Sequence, residues 1–277
     1  MKPGSEINYG SLSTLIQELI DFEQELEENR HSLDFDLGLI MEHGRGIRYM
    51  STPPDVIPFA RAGVDGLQYG FLTDFGAIAD LAQAPVVCVS PMHWNGVWLV
   101  ARNLHEFLSI VYTDNSPLTH FYEHTDAYLH DLARRQAPVY DERRQMVREL
   151  FRIRFGIQPI EDMVRYIKDL RMGRRRSIAV QTLNGLGVVP LSSEQRAHTP
   201  FSLPDTLLWG RDGGEIQEFF LNATEESRLA FVRDAQTKHL FTDSCLRAFV
   251  TSQLRAMGLS DAADHLDESY YTVVMES

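Results

Sequence analysis

Residues 56–111 read VIPFARAGVDGLQYGFLTDFGAIADLAQAPVVCVSPMHWNGVWLVARNLHEFLSIV. Four short runs, 56–60, 69–73, 85–90 and 97–101, are rich in Val, Tyr and Phe, residues that suit a pleated, half-buried surface. Gly63, Asp65 and Gly66 separate the first two, and Gly and Asp supply the backbone conformations that turns need. Asn95-Gly96 stands between the apolar runs 86–92 and 97–101. Asn-Gly is the strongest short hairpin signal, because both central residues of a type I′ turn require positive φ. The spacing therefore predicts a tight turn at Asn95-Gly96 joining antiparallel strands. Asn103 followed by Glu106 has the form of a capping box and predicts a helix to about residue 111.

Working outward, a helix is expected over 11–28 with Ser11 as its cap. Leu12, Leu15, Ile16, Leu19, Phe22 and Leu26 share one face, and Glu18, Asp21, Glu25 and Glu28 form an acidic ridge opposite. Residues 33–41 fit strand and helix periods equally. Toward the C-terminus, helices are expected from Ser116-Pro117 to about 135, from Pro138 to Phe155 before Gly156, and over 159–172 before Gly173. Asn184-Gly185 reads as a second hairpin, and 190–204 as a polar loop. Helices are expected near 224–240, 243–257 and 261–269, with a short strand at 271–275. Strands and helices run in separate blocks, which implies an α+β fold: a twisted, mainly antiparallel sheet with flanking helices, then a mostly helical C-terminal part. A soft boundary at 136–140 divides 1–136 from 137–277, and packing of the two as one unit stays open.

The chain has 277 residues, enough for a sizeable core, and a formal charge of −13. That charge repels a phosphate backbone, so nucleic acid is not an expected partner, whereas a basic protein is compatible. No apolar run approaches the roughly 18 residues of a membrane span. The N-terminal residues lack the basic-then-apolar order of a secretory signal, which gives a cytoplasmic expectation. Cys88 and Cys245 sit in apolar segments and read as reduced core residues; a bridge between them stays open.

No catalytic constellation emerges. His120 and His124, four apart, share a predicted helix face with Asp131, a geometry able to hold a metal. An apolar set on another face of that helix leaves the three as solvated polar residues, so no metal site is expected. Neither cysteine nor any serine has a nucleophile motif. Gly185-Leu186-Gly187 starts like a dinucleotide fingerprint, but Pro190 holds the third glycine position and no helix follows, so no cofactor is expected. Residues 141–176 hold eleven basic and six acidic residues, a cationic island in an acidic chain. Arg174, Arg175 and Arg176 end it, either as complements to a helix C-terminus or as an anion-contacting surface.

The order Ile57-Pro58-Phe59-Ala60, Gly63, Asp65-Gly66, Tyr69-Gly70-Phe71-Leu72, Pro85-Val86-Val87, Ser90-Pro91, then Val100 to Leu104 and Glu106-Phe107-Leu108, resembles the central signature of the SUKH superfamily. That superfamily includes fungal cell-wall-synthesis regulator-like and Syd-like proteins. The resemblance implies an α+β fold, a non-enzymatic protein-binding role and, for many bacterial members, immunity against toxins of competing cells. It ends at residue 112, so 137–277 takes no function from it. The expectation is an immunity-type module binding a basic toxin domain. A cytoplasmic regulator or scaffold, or an enzyme or ligand-binding protein with its site in the C-terminal half, is the alternative. The expected binding surface is Glu18, Asp21, Glu25 and Glu28, with Arg174–Arg176 as the alternative.

Overall fold

The computed structural model describes residues 14–42, 46–93, 96–135, 141–191 and 197–271. Five strands, β1 (Ile40–Met41), β2 (Val56–Arg61), β3 (Gln68–Leu72), β4 (Val86–Val89) and β5 (Val97–Ala101), form one antiparallel sheet in sequence order. The β2–β3 turn carries Gly63, Asp65 and Gly66 at φ of 70°, 50° and 65°. Gly70 is required for close approach, since a Cβ there would lie 2.4 Å from Val56 Cγ1 and 3.1 Å from the Ile57 carbonyl oxygen. Pro58 is tolerated because β1 pairs only with Ala60 and Arg61, and the β2–β3 register shifts between Pro58 and Ala60.

Strands β4 and β5 pair antiparallel as expected, with Val89 opposite Val97 and a Ser90 N–H bond to the Gly96 carbonyl of 2.8 Å. The connection is longer than the tight turn expected, because residues 90–96 lie between the last paired strand positions, Val89 and Val97. Gly96 keeps a positive φ of 65°; Asn95 lies outside the described residues. Asn103 caps α3 (Leu104–Thr113) by accepting the Glu106 N–H at 2.9 Å. The Glu106 carboxylate bonds the Arg102 guanidinium and, at 2.7 Å, the Tyr166 hydroxyl.

Helix α1 (Thr14–Glu28) buries Ile16, Leu19, Phe22 and Leu26, while Ser11 and Leu12 lie outside the described residues. The ambiguous stretch becomes α2 (Leu33–Leu37), capped by Ser32 and closed by left-handed Gly38, followed by β1. The single helix expected over 116–135 is α4 (Ser116–Thr119) and α5 (Thr125–Arg134). Arg171 takes the carbonyls of Tyr122 and Glu123, at 3.0 Å for Glu123, so the intervening backbone bonds outside a helix. Helix α6 spans Glu142–Arg154 from its Asp141 cap. Helix α7 spans Met163–Ser177 and continues through Gly173, where a stop was expected.

One face of the sheet packs Phe59, Tyr69, Phe71, Cys88 and Trp98 against buried residues of α1, α3, α6 and α7. This core crosses the expected 136–140 boundary, drawing on Val147, Phe151, Ile167 and Leu170. A second core gathers α8 (Trp209–Asn222), α9 (Glu225–Thr237), α10 (Ser244–Ala256) and α11 (Ser260–Tyr271) with Phe75, Val180 and Val188. The second hairpin shrinks to one bridge, Val180 to Val188, with Gly185 at φ 75°. Of the expected strand at 271–275, Tyr271 ends α11 and the remainder lies outside the described residues.

Candidate protein-binding surface

Helix α6 has two apolar stripes. Val147 and Phe151 face inward, and Phe22 of α1 meets Phe151 and Phe155 at ring separations of 6.0 and 5.5 Å. Met146, Leu150 and Ile153, spaced i, i+4 and i+7, form the second stripe and are 45%, 46% and 65% exposed. Between this stripe and Phe22 and Leu26 of α1 lies an open groove of about 510 Å³. Glu25 and Arg154 line it, paired at 3.4 Å while both remain well exposed. Apolar side chains aligned at helical spacing and left in solvent make this groove a candidate contact surface.

The expected acidic ridge borders this groove. Glu25 and Glu28 are exposed, whereas Glu18 and Asp21 are half-buried and Asp21 accepts the Gln17 side-chain amide at 2.9 Å. Glu23, on the inward side, is buried and accepts the Met41 N–H at 3.1 Å. The ridge therefore exposes its charge at the C-terminal end of α1, where Glu25 lines the groove in a solvent-exposed pair with Arg154.

The cationic island is largely structural. Arg143 donates to the Arg30 carbonyl at 2.8 Å, Arg144 to the Asp36 carbonyl at 3.1 Å, and Arg148 to the Tyr112 carbonyl. Those carbonyls sit at or just past the C-terminal ends of α1, α2 and α3, where helix dipoles favour positive charge. Arg174 does not belong to a surface: it is buried, with both Nη atoms 2.6 Å from Asp74 and Nε 2.6 Å from the Leu186 carbonyl. Only Arg175 and Arg176 of the expected triplet are exposed.

Arg174 belongs to a buried charged layer that joins the sheet to the C-terminal helices. Arg233, fully buried on α9, bonds Asp55, the Gly187 carbonyl and, at 3.2 Å, Asp74. Its guanidinium lies 5.0 Å from the Phe75 ring centroid. Burial lowers the Arg233 pKa, but Asp55 and Asp74 more than offset this and the net shift is upward. Asp74, Phe75 and Gly76 all have positive φ, so the layer fixes a strained turn after β3. Beside it, Arg48 donates to the Pro53 and Val56 carbonyls at 2.7 Å, and burial lowers its pKa to about 10. Gln236 donates to the Met50 and Thr52 carbonyls at 3.0 and 2.5 Å.

The histidine cluster is not assembled as expected. His120 follows α4 and His124 precedes α5, so no continuous helix aligns them. Asp131 accepts the Tyr122 hydroxyl at 2.6 Å and pairs with Arg135 at 3.1 Å. Among the described residues, no group of three or more His, Cys, Asp or Glu is placed to hold a metal ion. Cys88 is buried in β4, but Cys245 is exposed on α10 and not the core residue expected; both are free thiols.

Sequence reasoning missed Met146, Leu150 and Ile153. Their i, i+4, i+7 spacing was the available signal, obscured by a second apolar stripe on the same helix. Among the described residues, no helix is long and apolar enough to cross a membrane. No known family model matches the chain, and no curated protein matches it.

Proposed function

We propose that this chain is a non-enzymatic protein-binding module whose docking surface is the α1–α6 groove with the acidic end of α1. The observation that carries this reading is the exposed stripe Met146, Leu150 and Ile153 beside Glu25 of α1. An apolar centre with a charged border matches the division of labour in protein interfaces: buried apolar anchors supply affinity, and rim charges steer encounter and specificity. The net charge of −13 favours a basic partner. The SUKH-like order over 57–112 supports the finer reading, an immunity-type protein that acts in the cytoplasm and neutralises a basic toxin domain. The proposal includes no nucleic acid and no cofactor in that role.

The test co-expresses this protein with the product of the adjoining reading frame when that product is toxic. Protection by the native chain, lost with Leu150→Asp/Ile153→Asp, supports both the function and the surface. Growth arrest despite a soluble native chain contradicts the immunity reading. Protection undiminished by the double substitution contradicts the surface.

A further inference from the structure

A second concavity, of about 410 Å³, lies beside the edge strand β5, away from the α1–α6 groove. Its apolar lining includes Trp98 and Leu99 of β5 and Phe121 from the α4–α5 connection. Its cationic lining includes Arg171 and Arg175, one helical turn apart on α7, with Arg174 between them already paired to Asp74. The volume falls within the roughly 300–1,000 Å³ of small-molecule sites.

Four features ask for an anion there. Arg171 is anchored by the Tyr122 and Glu123 carbonyls and lies 5.4 Å from the Phe121 ring centroid, so its guanidinium is held in place. No carboxylate pairs with Arg171 or Arg175 among the described residues, although the chain as a whole is strongly acidic. Burial and the neighbouring Arg175 cation both lower the Arg171 pKa, as expected where like charges lack a counterion. The Trp98 indole N–H is buried without an acceptor. Glu123, exposed on the lining, disfavours a ligand charged at both ends.

We propose that this cleft binds a small organic oxyanion, a carboxylate or phosphomonoester carried on a flat apolar group. The oxyanion sits between Arg171 and Arg175: the Arg175 fork of donors matches its geometry, Arg171, whose two Nη atoms already serve backbone carbonyls, adds a fixed positive charge, and the flat group rests on Trp98 and Phe121. This site is independent of the protein-binding groove, so its failure leaves that proposal standing.

Calorimetric titration of the full chain with phenyl phosphate, benzoate and inorganic phosphate tests it. At least one of the two aromatic anions binds, and whichever binds tighter identifies the oxyanion class. Inorganic phosphate, lacking the ring, binds about fivefold or more weakly than that anion. Arg175→Glu, an exposed change that leaves the circular dichroism intact, weakens the aromatic anion about tenfold or more. Ile153→Asp, in the other groove, leaves it unchanged. Absence of binding by both aromatic anions, equal binding of inorganic phosphate, or undiminished binding by Arg175→Glu overturns the assignment.

Discussion

Replacing Arg233 with Met removes a side chain that bonds both Asp55 and Asp74. Asp74 keeps its two-pronged contact with Arg174, at 2.6 Å on each oxygen. Asp55 keeps only the Phe75 N–H at 3.3 Å, since its other oxygen has no hydrogen-bond partner. A buried carboxylate thus loses its hydrogen-bonded countercharge and keeps only the more distant Arg48 cation, and breaking such a pair costs about 3–5 kcal/mol. At about 2 °C per kcal/mol for a large domain, the melting temperature falls by ~6–10 °C. Urea unfolding followed by circular dichroism measures the loss directly. Asp55→Asn in the Arg233→Met background removes the stranded charge, so the double variant is more stable than the sum of the two single losses predicts, by about 1–3 kcal/mol. A loss below about 1 kcal/mol for Arg233→Met, or strict additivity in the cycle, refutes the view that this layer clamps the C-terminal helices to the sheet.

Gly70→Ala places a methyl 2.4 Å from Val56 Cγ1 and destabilises by about 1–3 kcal/mol in urea. Gly173→Ala, in a helix with open space around it, stabilises by roughly 1 kcal/mol. Burial raises the Asp234 carboxyl from its ordinary 3.8 to about 6. The folded state therefore holds that proton more tightly than the unfolded chain, so the contribution to stability is present below about pH 4 and lost as pH rises through 6. Asp234→Asn, which keeps an oxygen for the Leu183 N–H, is stabilising at pH 7.5 and loses that advantage by pH 4, as measured by urea midpoints across the range. Glu25→Lys breaks an exposed pair with Arg154 and changes stability by less than about 1 kcal/mol, while slowing association with a basic partner.

The sheet was legible because its signals are local. Apolar runs punctuated by Gly63, Asp65 and Gly66 place β2 and β3, and Asn103 starts α3 where its side chain predicts. Helix α8 was missed because Gly210, Gly213 and Gly214 depress its propensity; tertiary packing of Ile216 and Phe220 overrides that, and Gly213 lies against the Trp209 ring. Gly173 misled for the same reason, since α7 continues far enough for Arg174 to reach Asp74. The Arg233 contacts span sequence separations of 178 to Asp55 and 159 to Asp74, and no periodic pattern encodes such pairings. Of the proposed binding surface, the acidic ridge on α1 was visible as a helical stripe. The groove beside it depends on how α6 packs against α1, which only the fold supplies.

Side-by-side affinity capture from cells that make this protein tests the docking claim most directly, using the native chain, Leu150→Asp/Ile153→Asp and Arg175→Glu as baits. The groove account predicts that the native chain retains a basic protein in stoichiometric amount, that the groove variant loses it while its melting temperature is unchanged, and that Arg175→Glu retains it. Equal retention by the native chain and the groove variant, or loss confined to Arg175→Glu, would place the interface elsewhere and contradict the account.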